Sequence, residues 1–179
     1  MFRRSKVQTV ILLMVVGVAM VMLSSCKDSS DVTLSPTGEL IGSAGCKTYS
    51  SESSSKSDDN FATSSEDCLQ YNYDGSSVLT LTHVNAGFNC CPGELMATVD
   101  IGTSTITINE GEAEQGCKCL CQFDVYYNIE NLSPGTYTIV LTGMYVEDQE
   151  YLEVTVDLSE DTSGIVCLER DYYPWSSEE

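Results

Sequence analysis

From Cys68 onward, apolar residues recur at every second position, the period of a strand with one face buried. Leu69, Tyr71 and Tyr73 alternate with Gln70, Asn72 and Asp74, and Asp74-Gly75 then marks a turn. Leu79, Leu81 and His83 form the next set, followed by Leu95, Ala97, Val99 and Ile101, and by Ile106 and Ile108. Odd positions from Cys117 to Ile129 read Cys, Cys, Cys, Phe, Val, Tyr, Ile, so one strand there would carry its sulfurs on the core side, unless a bulge turns one outward. Tyr137, Ile139 and Leu141 follow the turn-former Pro134-Gly135, and Leu152, Val154, Val156 and Leu158 follow the acidic bend at Glu147-Asp148. Ile165 to Glu169 is a last short run. Outside residues 7–23, no long window carries apolar residues at three- and four-residue spacing. The pattern predicts an all-β fold, an antiparallel β-sandwich of about eight strands.

The N-terminus follows a different rule. Arg3, Arg4 and Lys6 precede an apolar run from Val7 to Leu23, the layout of a secretory signal peptide. Seventeen residues sit at the short edge of a membrane span. Leu23-Ser24-Ser25-Cys26, however, resembles the lipobox of bacterial lipoproteins, which implies that Cys26 is lipidated and becomes the first mature residue. Two or more acyl chains suffice for stable anchoring. The expected organisation is a signal peptide over 1–25, a lipid-anchored flexible tether over 26–45, and a sandwich domain over 46–179. Residues 27–45 are rich in Ser, Thr, Gly, Asp and Pro, and 50–67 form a second polar stretch, read as a loop stapled at its base by Cys46 and Cys68. Lys27-Asp28-Ser29-Ser30-Asp31 loosely resembles the tags that send some lipoproteins to the outer surface. The expected location is the bacterial outer membrane or cell surface, outside the cytoplasm.

Charge narrows the partners. The chain carries 8 basic and 27 acidic residues, a net charge of −19, and removing residues 1–25 takes three bases and no acid, leaving −22. Such a field repels phosphate backbones, which excludes nucleic-acid binding. No Asp-x-Asp-x-Asp-Gly calcium loop accompanies the acids, so they read as a solubilising surface.

Cysteine is the unusual component. With Cys26 set aside, Cys46, Cys68, Cys90, Cys91, Cys117, Cys119, Cys121 and Cys167 remain, an even number that reads as four disulfides in an exported chain. Adjacent Cys90 and Cys91 face opposite ways in an extended chain and bond to different partners. The expected pairing joins Cys46 to Cys68, Cys90 and Cys91 to two of the 117/119/121 trio, and Cys167 to the third; eight cysteines allow 105 arrangements. The alternative is an extracytoplasmic zinc or copper site built from His83, Cys90, Cys91, Cys117, Cys119 and Cys121. Two-residue spacing along a strand spreads sulfurs apart, and an oxidising compartment bonds them to each other, so disulfides are preferred and no cofactor is expected. His83, on the apolar phase of its run, is expected to be a hydrogen-bonded core residue.

Catalytic motifs are missing. The only histidine has no Gly-x-Ser-x-Gly elbow with it, no pair of carboxylates stands out, and no glycine-rich loop opens a helix. For ligand contact the candidates are Tyr126, on the outward phase of the cysteine strand, and Trp175 in Tyr172-Tyr173-Pro174-Trp175, side chains suited to stacking on a glycan or a protein partner; for Trp175 the preferred reading is that it folds back to cap the core. Asn131-Leu132-Ser133-Pro134-Gly135-Thr136-Tyr137 resembles the loop-into-strand phrase of immunoglobulin-like modules. Phe88-Asn89-Cys90-Cys91-Pro92, Cys117-Lys118-Cys119-Leu120-Cys121 and the C-terminal aromatics together resemble a group of uncharacterised exported bacterial lipoproteins, a likeness that covers most of residues 46–175 and implies no activity. The expected function is a non-catalytic cell-envelope lipoprotein that meets the membrane through its lipid and serves as a binding or structural module.

Overall fold

Period-two alternation becomes a two-layer sandwich. The computed structural model describes residues 34–47, 62–146 and 150–176. These hold β1 (Thr37–Ser43), β2 (Glu66–Tyr73), β3 (Leu79–Asn89), β4 (Leu95–Ile101), β5 (Thr105–Glu112), β6 (Leu120–Glu130), β7 (Thr136–Thr142), β8 (Leu152–Asp157) and β9 (Ser163–Glu169), with no helix among the described residues. One sheet has the order β1-β6-β3-β2-β9, the other β4-β5-β7-β8. Their facing sides form one core, in which Leu69, Leu79, Leu81, Ile106, Ile108, Tyr127, Ile129 and Ile139 are fully or almost fully buried. Burying side chains of this size stabilises the fold by about 1.5–3 kcal/mol each. The all-β, disulfide-rich sandwich expected from the alternation is therefore present.

Six of the seven strand pairings are antiparallel. The seventh departs from the expected pattern: β5 and β7 run parallel, Ile106 opposite Ile139. The chain leaves β5, crosses to the other sheet to form β6, and returns as β7, which is the kind of crossover that parallel neighbours need. After β6, Tyr137 donates its hydroxyl to Ser133 O at 3.0 Å, and Tyr73 donates to Leu132 O at 2.9 Å. A tyrosine tied back to backbone just upstream is the corner met in immunoglobulin-like sandwiches.

The sandwich starts earlier than residue 46. β1 lies inside the segment expected to be tether, and the compact unit begins at Leu34. Its alternation is hidden because Gly38 and Gly42 occupy places where side chains would show the period. The small residue has a cause: a Cβ on Gly38 would stand 2.5 Å from Val99 Cγ1, so only glycine lets β1 approach β4. β1 pairs with β6 from Thr37 opposite Glu130 to Ser43 opposite Val125, which adds an edge strand to the five-stranded sheet.

Candidate functional site

The apolar phase of two strands ends in charged residues. On β5 the inward sequence runs Ile106, Ile108, Glu110, Glu112, and on β3 it runs Leu79, Leu81, His83. Because β3 and β5 belong to opposite sheets, Glu110 meets His83 across the core, with Nδ1 to Oε1 at 2.8 Å. Asp67 sits two residues before Leu69, the direct partner of His83, so it shares that face and reaches Nε2 at 2.6 Å. Arg170 follows β9, and its Nε and Nη2 donate to Asp67 Oδ2 at 3.1 and 2.7 Å while Nη1 donates to Glu150 O. Tyr127 of β6 donates to the same Glu110 oxygen that His83 faces. The result is a buried chain, Arg170–Asp67–His83–Glu110–Tyr127, joining both sheets.

Both ring nitrogens of His83 face carboxylate oxygens. A neutral imidazole would aim a lone pair at one of them, so the ring carries both protons. Burial opposes that charge, but Glu110 and Asp67 together outweigh it and raise the His83 pKa to about 10. Burial also works against the Asp67 carboxylate, which His83 and Arg170 nevertheless hold below its ordinary range. Tyr127 is pushed well above a free phenol, by burial first and then by Glu110. Two carboxylates balance an imidazolium and a guanidinium, so the relay adds no net charge to the interior. Every ring nitrogen and headgroup nitrogen is engaged, which suits anchoring the sheets rather than moving protons.

Beyond the relay, β3 carries a bulge. Val84 pairs with Asp124 and Ala86 with Phe123, leaving Asn85 over, in the left-handed region at φ 66°. Its side chain donates to Thr63 O and Glu66 O, accepts from Lys47 Nζ at 2.6 Å, and its carbonyl accepts from Trp175 Nε1 at 2.8 Å. Trp175 lies over Gly87, where a Cβ would stand 2.6 Å from the indole ring. Arg170 stacks on the same ring, its Cζ 5.7 Å from the centroid. At 4% exposure Trp175 caps the core, the fold-back reading of the two, and is not open to a ligand. Tyr126 stays half-exposed on the outer face of β6, opposite Gly42 and Thr82.

All eight described cysteines pair. The bonds are Cys46–Cys121, Cys68–Cys167, Cys90–Cys119 and Cys91–Cys117. Cys90 and Cys91 do take partners from the trio, as expected, but the Cys46–Cys68 and Cys167–trio bonds do not form. Strand register is the reason. Cys68 and Cys167 are direct partners on β2 and β9, 4.0 Å apart at Cα, and the extension of β1, with Lys47 N donating to Gln122 O, sets Cys46 beside Cys121. Only Cys121 of the trio lies within β6; Cys117 and Cys119 precede it. Asn89 organises this end: its Oδ1 accepts from Cys91 N and Cys117 N, and its Nδ2 donates to Cys117 O.

The ligand set weighed for zinc or copper is dispersed by this arrangement. Cys90, Cys91, Cys117, Cys119 and Cys121 are bonded to other sulfurs, and His83 lies seven residues up β3 from Cys90, about 23 Å of strand. Cys26 lies outside the described residues. Asp67, Glu110, Arg170 and Asn89 escaped the sequence reading. Glu110 had a visible signal, an acid on the inward phase two places after Ile108. A comparison with known protein families, curated proteins and solved structures finds no match for this chain.

Proposed function

We propose that this chain is a lipid-anchored module of the bacterial cell envelope, held outside the cytoplasm, with a binding or structural role and no catalysis. The observation that carries the reading is the cysteine count. Of nine cysteines, eight pair within the sandwich, and the ninth is Cys26, at the end of the leader-like apolar run. Four disulfides suit an oxidising compartment, and one leftover thiol at a lipobox-like position suits lipidation. The resemblance to exported lipoproteins points the same way. His83, enclosed on both nitrogens, supports a reading without a catalytic base.

Ten residues separate Cys26 from Thr37, so the tether would reach about 40 Å at most. The test is expression of the whole chain in a diderm bacterium. Intact mass with and without reductant should differ by eight hydrogens, membranes should hold the protein, and Cys26→Ser should release it. Free thiols with stoichiometric zinc or copper, or membrane retention of the Cys26→Ser variant, would overturn the reading.

A further inference from the structure

The C-terminal aromatic segment builds a second feature that the core does not use. Tyr173 is 48% exposed, yet its hydroxyl both donates to Leu120 O at 2.6 Å and accepts from Leu120 N at 2.9 Å. The ring is thus pinned at its far end while much of it meets water. It borders two clefts. The larger, about 490 Å³, is lined by Ser64, Ser65, Arg170, Asp171, Pro174 and Ser176, and the smaller, about 260 Å³, by Gln115, Lys118 and Tyr145 among others. The larger lies within the range of about 300–1,000 Å³ typical of ligand sites. Behind two of these lining residues, the buried Gln122 donates Nε2 to Ser64 O at 2.6 Å and to Pro174 O at 3.4 Å. Among the described residues, nothing donates to Gln122 Oε1. Reversing the amide would only set that oxygen against two carbonyls, so the nitrogen faces Ser64 and Pro174 and ties these two segments of the cleft lining together from behind.

We infer that this paired cleft binds a neutral oligosaccharide laid across Tyr173, one sugar on each side of the ring. The chemistry matches on three counts. A rigid exposed phenol ring offers its face to the C–H side of a pyranose. Serine hydroxyls and the Asp171 carboxylate suit a ligand made of hydroxyl groups. The strongly negative chain repels acidic glycans and leaves neutral ones. Trp175 contributes from beneath, by holding the segment on Gly87.

The assignment rests on the reading of the chain as an extracytoplasmic binding module, and the experiment separates the two. Full-length protein in detergent, first verified as four-disulfide and lipidated, is titrated with cellohexaose, maltohexaose, chitohexaose and mannohexaose, and with a hyaluronan hexasaccharide as the acidic probe. At least one neutral hexasaccharide should bind, and Tyr173→Ala should weaken it about ten-fold or more. Tyr173→Phe keeps the ring and should cost about three-fold or less. Ser65→Trp, which fills the larger cleft from an exposed turn, should also abolish binding, and Leu34→Ala, exposed ahead of β1 at the end of the sheet away from Leu120, should leave it unchanged. A correctly oxidised chain that binds none of the neutral probes, or only hyaluronan, overturns the ligand assignment alone. So does binding that survives both Tyr173→Ala and Ser65→Trp. A chain found reduced and unlipidated overturns the underlying reading instead.

Discussion

At the end of the sandwich holding Leu79, Ile129 and Leu132, the interior is hydrocarbon, with two tyrosine hydroxyls tied to backbone carbonyls. At the end holding His83, Phe88 and Cys121, the same two sheets meet through an ion relay, and that end also carries the bulge at Asn85 and the disulfides Cys46–Cys121, Cys90–Cys119 and Cys91–Cys117. Both ends exclude water, but they constrain the fold differently. Hydrocarbon contact is non-directional, so a small shift exchanges one apolar neighbour for another. A shift at the polar end would leave a buried carboxylate without its cation, costing about 3–5 kcal/mol. The apolar end supplies driving force. The polar end makes register unique.

The largest expected effect comes from the sulfurs. Cys68–Cys167 closes a separation of 99 residues and Cys46–Cys121 one of 75, against 29 and 26 for the pair at Asn89. Loop-closure entropy predicts roughly 4–5 kcal/mol for each long bond and roughly 3–4 kcal/mol for each short one. Denaturant unfolding of the double-serine variants Cys68→Ser/Cys167→Ser and Cys91→Ser/Cys117→Ser should rank in that order. The reverse order would mean that the cystine-bound end stabilises by strapping the native fold rather than by shortening the unfolded chain.

Next comes the relay, whose loss should outweigh trimming of the hydrocarbon. Glu110→Ala should cost about 3–5 kcal/mol, while Ile108→Val, one turn of the alternation away, should cost about 0.5–1.5 kcal/mol. The relay also carries a pH signature. His83 is raised from 6.5 to about 10 on folding, so its stabilisation is complete below pH 6.5 and drains away as pH climbs toward 10. Asp67, shifted down, contributes above the ordinary carboxylate range and is lost only in acid. Urea midpoints should therefore fall from pH 6.5 to pH 10 in the native chain and flatten across that interval in His83→Gln. A native midpoint that stays level over this span would remove the charged histidine from the account.

The smallest effect is optical. Gly87→Ala places a methyl group against the indole of Trp175, the chain's one tryptophan, and should lift it from the core with little change in the sheets. Emission should shift to the red and quenching by acrylamide should rise, while far-ultraviolet dichroism holds. Unchanged emission would show that the C-terminal cap packs somewhere other than over the bulge.

Much of this was legible before any coordinates. Alternation located eight of the nine strands, because a half-buried strand must repeat every two residues, and it put His83 inward for the same reason. Cys90 and Cys91 could be given two different partners because adjacent side chains in an extended strand diverge, but that geometry does not say which cysteines those are. β1 escaped because close approach to Val99 demands glycine, which erases the pattern that would reveal it. The relay's members escaped because they lie 16, 27 and, for Arg170 and Asp67, 103 residues apart in sequence. Local periodicity says which way a side chain points, and nothing local says what waits there.

The chain alone thus determined the class of fold, the inward faces and the set of sulfurs available for bonding, since each depends only on nearest-neighbour geometry and residue chemistry. Strand order, the parallel β5–β7 pair, the cystine partners and the carboxylates around His83 were decided by the packed sandwich, because each needs two distant segments to arrive at one place in one register.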